Sequence, residues 1–263
     1  MLVPYGASFY VIQNATYQSV NSDAATTEKV NQSLRWLNRT DNIDWIPPAL
    51  MFLNRYHDQP ERVARFFADL ERLAASLMIR RQYAHKREQR YWRIQAVIRQ
   101  DEDLAHPDSP LQLAPHEREE TIQALGGDIY LMASTPRNYL LQRLDSALAG
   151  TGATYEYKVI TVEHVLPRNP PAQSEWTQWY PSPALRARWT HKLGNLALLS
   201  RVKNMQAENY SFAVKKKTYF ATKDGVSPFA LTTQVLREQE WTPQVIERRQ
   251  RELIGVLSQL WRL

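Results

Sequence analysis

The segment "TVEHVLPRNP", Thr161–Pro170, places a carboxylate beside an imidazole at the end of an alternating run and then breaks the chain at Pro167. The run leading into it, "TYEYKVITVEH" (154–164), alternates and is rich in β-branched and aromatic residues, which predicts a strand. A long loop follows. "LGNLALLS" (193–200) then predicts a second short strand, and "KNMQAENYSFAVKKKTYF" (203–220) a helix. Polar residues stand at the junctions of this strand, loop, strand, helix order. Glu163 and His164 end the first strand, Asn195 opens the second, and Asn204 lies at the start of the helix.

Those four residues match what phosphodiester hydrolysis needs. A base must take a proton from water, and histidine suits because its pKa lies near neutrality. A cation must neutralise charge on the phosphate and on the departing oxygen. Mg²⁺ takes oxygen ligands and keeps several waters, so one carboxylate and one amide oxygen suffice from the protein. The imidazole must also be held in one tautomer and orientation, which a nearby amide or carbonyl can do.

The charge pattern points to a polyanion. The net charge is +6, and the stretch from Arg186 to Asp224 alone carries +7. Arg201, Lys203, Lys215, Lys216 and Lys217 fall within it, flanking the predicted site, and are expected to contact a DNA backbone. Such contacts supply affinity without sequence specificity. A solvated helix face is the alternative reading of this run. The eight glycines include no GxGxxG or GxxxxGK[ST] pattern, which excludes those nucleotide-cradling loops. The chain has no cysteine, so disulfides and thiolate metal sites are excluded and a cytoplasmic location is expected. No apolar run reaches membrane-spanning length, so no membrane partner is expected.

Outside this segment the sequence reads as helical. In "QPERVARFFADLERLAASLMIRR" (59–81), Pro60 and Glu61 suit a first turn. Val63, Phe66, Phe67, Leu70, Leu73, Ala74 and Leu77 then form one apolar stripe. Helices are also predicted at "TTEKVNQSLRWLNR" (26–39), "IPPALMFLNRYH" (46–57), "AHKREQRYWRIQAVIRQ" (84–100) and "TPRNYLLQRLDSALAG" (135–150), the last closed by Gly150. A final amphipathic helix is predicted in "TPQVIERRQRELIGVLSQLWRL" (242–263). Trp36, Phe67 and Trp92 are core candidates. The proline-containing stretch 101–120 reads as a linker or loop. The fold class expected is mainly α, with a helical domain over 1–110 and a nuclease-type domain over 111–263.

"VEHVLPRNP", then "W-x-x-KLGNLALLS" (Trp189–Ser200), then the 203–220 block resembles the HNH nuclease domain of GmrSD-type defence proteins, a group that includes the nuclease of phosphorothioate-sensing antiphage systems. "EWTPQVIERRQRELIGVLSQLW" (240–261) is similar to the closing helix of that domain. The first hundred residues resemble the helical region that joins the nuclease to an upstream, DGQQR-containing, nucleotide-hydrolysing domain. DGQQR is absent, so the chain is expected to be the C-terminal part of such a protein. The resemblance is weakest before residue 45.

A second resemblance, to the HNH domain of CRISPR RNA-guided nucleases, implies roles. There the base directly follows an acidic ligand, an asparagine opens the next strand, and a metal-binding asparagine comes nine residues later, as Asn204 does after Asn195. By that likeness His164 is the general base, Asn195 orients it, and Glu163 and Asn204 approach a Mg²⁺ or Mn²⁺ ion. Glu163 departs from the Asp or His of many HNH domains, which leaves its direct ligation open, and Asn209 is an alternative ligand. The ββα-metal (HNH) fold embedded in helices is implied with these roles. So is metal-dependent nicking or cleavage of double-stranded DNA in antiphage defence, with 5′-phosphate products. A lone site nicks unless the protein forms a homo-oligomer or acts twice. The competing readings are a DNA-binding scaffold with a lapsed site and an RNA-cleaving toxin.

Overall fold

The computed structural model describes residues 3–150, 160–200, 209–221 and 227–263. The chain divides into two compact units, Met1–Thr121 and Ile122–Leu263.

The first unit is helical: α1 (Val3–Asn14), α2 (Ala24–Leu37), α3 (Ile46–Tyr56), α4 (Pro60–Ile79), α5 (Ala84–Gln100) and the start of α6 (Pro115–Leu125). Asp23 caps α2 by accepting the Thr26 N–H at 2.6 Å, satisfying one of the donors a helix start leaves open. The predicted stripe of α4 is buried in full and packs against α2. Trp36 and Phe67 are core residues as expected, but Trp92 is not, being 71% exposed. The buried line of α5 runs through Tyr91, Ile94 and Ile98, and Trp92 lies a 100° step away from it.

The stretch expected as a linker or loop is irregular from Glu102 to Ala114, as expected, but it is packed and not loose. Leu111 and Leu113 are buried, and Gln112 donates to the buried Asp69 at 2.9 Å. Glu117, whose side chain is 9% exposed, ion-pairs with Arg80 and Arg90 at 3.1 Å each. Pro115–Leu125 is helical, and the division between the two compact units falls within α6. Buried side chains and buried ion pairs hold this stretch to α4 and α5, which sequence composition alone does not reveal.

The second unit is built around an antiparallel pair, β1 (Ile160–His164) and β2 (Leu196–Ser200), with Glu163 opposite Ala197 and His164 opposite Leu196. Among the described residues this pair is the whole sheet. Two strands alone are marginal in water, so helices must cover them. The covering elements include α7 (Ser134–Ala149), α8 (Glu175–Trp179), α9 (Pro183–Thr190), α10 (Phe212–Val214 running into a π-helical Lys215–Phe220), α11 (Ala230–Arg237) and α12 (Pro243–Trp261). Apolar residues of α8, α9, α10, α11 and α12 join the strands in one core that includes Val165, Leu166, Trp176, Phe212 and Trp241, and α7 packs on α11 and α12. The free edge of β2 meets Thr232 of α11. Its hydroxyl accepts from Leu198 N–H at 3.0 Å and donates to Leu198 O at 2.7 Å, replacing a missing strand partner. No described helix is long and apolar enough to cross a membrane.

The last helix grips the turn Leu193–Asn195. Arg249 donates to the carbonyls of Gly194, Leu196 and Leu231 at 2.7, 3.0 and 2.8 Å. Burial lowers its pKa to about 9. Gly194 donates to Gln250 at 2.6 Å, and the backbones touch there. A Cβ on Gly194 would sit 2.5 Å from Ile246 O and 3.0 Å from Gln250 N. Gly194→Ala is therefore expected to destabilise the second unit by about 1–3 kcal/mol, since backbone cannot swing aside as a side chain can. Urea unfolding measures this, and an unchanged midpoint would contradict the close approach.

Candidate active site

Neighbouring residues on a strand project to opposite faces, and β1 does this with Glu163 and His164. Glu163 turns toward α10, where its Oε1 accepts from Lys215 Nζ at 2.7 Å. The same ammonium donates to His164 O at 2.7 Å. The Lys215 side chain is 0% exposed and that of Glu163 14%. Burial pushes the Glu163 carboxyl up, opposed by the Lys215 charge, and pushes the lysine down, opposed by Glu163. In both groups desolvation outweighs attraction, as is usual for an ion pair taken out of water.

This corrects the expectation that Lys215 faces DNA. Phe212, Lys215 and Tyr219 share one buried helix face, so the lysine is drawn inward with the two aromatics. Those aromatics are core residues. Lys216 is half-buried, donating to Glu238 O and lying 5.4 Å over the Phe212 ring, while Lys217 is exposed. Asn209 is exposed and makes no hydrogen bond to Glu163 or His164 among the described residues. Arg201, Lys203 and Asn204 lie outside the described residues.

His164 turns to the other face, 6% exposed, with the Tyr130 ring centroid at 4.0 Å. Its Nε2 meets His191 Nδ1 at 3.2 Å. Tyr130 also lies over His191, at 5.6 Å and 21°, and its N–H donates to His191 O at 3.1 Å. Arg137 holds Tyr130 by its carbonyl at 2.8 Å and by its ring at 4.6 Å. Burial, with His191, Arg168, Lys215 and Arg137 adding to it, pushes His164 down to about 3. Burial also lowers His191, against the opposing charge of Asp128. His164 is thus uncharged across the physiological range and able to accept a proton.

The Asn195 side chain makes no hydrogen bond to the His164 ring. Its Oδ1 accepts from Leu166 N–H at 2.7 Å and from Trp241 Nε1 at 2.9 Å. Its Nδ2 donates to Leu166 O at 3.0 Å and Thr190 O at 2.8 Å, and its own carbonyl accepts from Val165 N–H at 3.0 Å. Every side-chain donor and two acceptor sites are used in a residue with 0% exposure. Asn195 therefore fixes the backbone that follows His164, so its hold on the imidazole runs through the chain and not through a bond to the ring.

Sequence reasoning missed His191, Tyr130 and Arg168. His191 sits inside the "THKLGN" block, four positions before Asn195, and its polarity was a usable signal. Tyr130 carried no local signal, since only the fold brings it to β1. Among the described residues no group of three His, Asp or Glu side chains is gathered to hold a metal. Of the expected donors, Glu163 and Asn209 are described; both offer the oxygen that a hard cation takes, with Glu163 on the face of β1 opposite the His164 ring. The Glu163 carboxylate is desolvated, so a nearby positive charge favours its ionised form, and Lys215 engages only one of its oxygens.

The sequence profile described as "GmrSD restriction endonucleases, C-terminal domain" matches residues 116–256. The chain belongs to this family, and its second unit is a restriction endonuclease-type domain of mainly α fold. No curated protein matches the chain.

Proposed function

We propose that the second unit is an HNH-type endonuclease that hydrolyses phosphodiester bonds of double-stranded DNA, nicking or cutting foreign DNA in the cytoplasm. The observation that carries this reading is the buried, uncharged His164 ending β1 beside an acidic residue, in a chain of the restriction endonuclease family. His164 takes a proton from the attacking water. Its low pKa keeps the ring unprotonated at neutral pH, the form a general base requires. Glu163 and Asn204, with Asn209 as the alternative to the latter, would hold Mg²⁺ or Mn²⁺. Such an ion supplies an acidified water and charge neutralisation at the phosphate. Asn195 keeps the Val165–Leu166 backbone in place behind the base. Arg201, Lys203 and Lys217, with Lys216 beside them, contact the phosphate backbone. An upstream nucleotide-hydrolysing domain and a homo-oligomer able to cut both strands complete the proposal.

The test is conversion of supercoiled plasmid to nicked or linear forms with Mg²⁺ or Mn²⁺, and its loss with chelator. Ligase alone should reseal the products if they carry 5′ phosphates. Binding without cleavage under any divalent ion would make this a docking module. Preference for RNA over duplex DNA would make it a ribonuclease.

A further inference from the structure

A catalytic base needs one ring nitrogen bare and the other protonated, and something must choose which. Asn195 was the expected chooser, but its side chain is committed to Leu166, Thr190 and Trp241. The group that meets the imidazole is His191, with Nδ1 at 3.2 Å from His164 Nε2. Two neutral imidazoles that close share a single proton along the line between them, so two arrangements exist.

If His191 donates, the His164 Nε2 lone pair is used and its own proton sits on Nδ1, leaving no nitrogen to act as base. If His164 donates, Nδ1 is bare and the ring can act. We infer that His191 is a positioning residue that holds His164 as the Nε2–H tautomer, leaving Nδ1 as the atom that takes the proton from water. This rests on the reading of His164 as the base.

The surroundings hold the pair as a unit. His191 follows α9, and its carbonyl is tied to Tyr130 N–H at 3.1 Å. The Tyr130 ring lies against both imidazoles, and Arg137 holds Tyr130 in turn. The atoms balance in the step. An O–H bond of water breaks and an N–H bond forms at Nδ1. The oxygen adds to phosphorus, the P–O3′ bond breaks, and O3′ leaves with its electron pair and is protonated by solvent. The Nε2–H bond to His191 becomes charge-assisted as the ring turns cationic, so it strengthens when the charge develops.

Two variants separate this role from packing. His191→Phe keeps a ring against Tyr130 without an acceptor. His191→Asn restores an acceptor oxygen near the former Nδ1. His191→Phe is expected to slow single-turnover plasmid cleavage by roughly 10- to 100-fold with DNA affinity unchanged, and His191→Asn to recover most of the rate. Long-range ¹⁵N–¹H spectra of the labelled wild-type chain should show His164 protonated at Nε2 and bare at Nδ1. The His191→Phe spectrum should show a mixture.

Full activity in His191→Phe, equal loss in both variants, or a wild-type His164 protonated at Nδ1 would each overturn the inference. His164→Ala separates the two levels of failure. If it cleaves normally, the reading of the base fails. If it is inactive while His191→Phe is fully active, only the role of His191 fails.

Discussion

His164→Ala should lower the rate of plasmid cleavage by about 10²–10⁴-fold, the usual contribution of a positioned acid or base. The affinity for DNA should stay essentially unchanged, because a side chain 6% exposed offers phosphate almost no surface. The substitution also opens a gap beneath Tyr130, whose ring lies 4.0 Å from the imidazole, so some thermal stability will be lost. Melting curves must show a folded variant before the rate is interpreted. His164→Asn, which keeps a polar group but has no basic nitrogen, should be equally slow. A folded His164→Ala protein that cleaves at the wild-type rate would remove the proposed mechanism entirely.

Lys215→Met should be the most destabilising single change at the site. It removes the ammonium bonded to Glu163 and leaves a carboxylate with 14% exposure without that partner, which typically costs about 3–5 kcal/mol. It also strips a donor from His164 O. The directions of the two pKa shifts indicate that the pair itself does not stabilise much, because burial opposes ionisation of both groups. Combining Lys215→Met with Glu163→Leu should therefore recover most of the lost stability while leaving cleavage impaired. Chemical denaturation of the single and double variants measures the coupling. If Lys215→Met unfolds within about 1 kcal/mol of wild type, the ion pair is not held in the buried state seen here.

The contrast among the three consecutive lysines shows how far sequence reading reaches. As a charge run, Lys215, Lys216 and Lys217 read as a DNA-facing patch. Their phase relative to Phe212 and Tyr219 already carried a different message, since Phe212, Lys215 and Tyr219 stand at helical spacing on one face. Trp92 failed in the opposite sense. An aromatic in a helix suggests core, yet Tyr91, Ile94 and Ile98 define the buried line of α5, and the neighbouring residue must point elsewhere. In both cases the phase of a residue on its helix, and not its type, sets whether it is buried.

What the sequence by itself determined is local. Apolar periodicity placed α4 and an amphipathic pattern α12, alternation placed β1, the short apolar run before Ser200 placed β2, and the blocks around His164 and Asn195 pointed to the family. These signals survive because hydrogen bonding within a helix or strand, and the side-chain direction it imposes, depend on near neighbours. Only the tertiary structure decided which polar groups meet. Lys215 reaches Glu163, Asn195 clasps Leu166 and Trp241, and His191 arrives beside His164 under Tyr130. A buried polar atom takes whatever partner the packed chain brings within reach, and burial makes that partner obligatory. Such pairings join residues remote in sequence, so no local pattern encodes them.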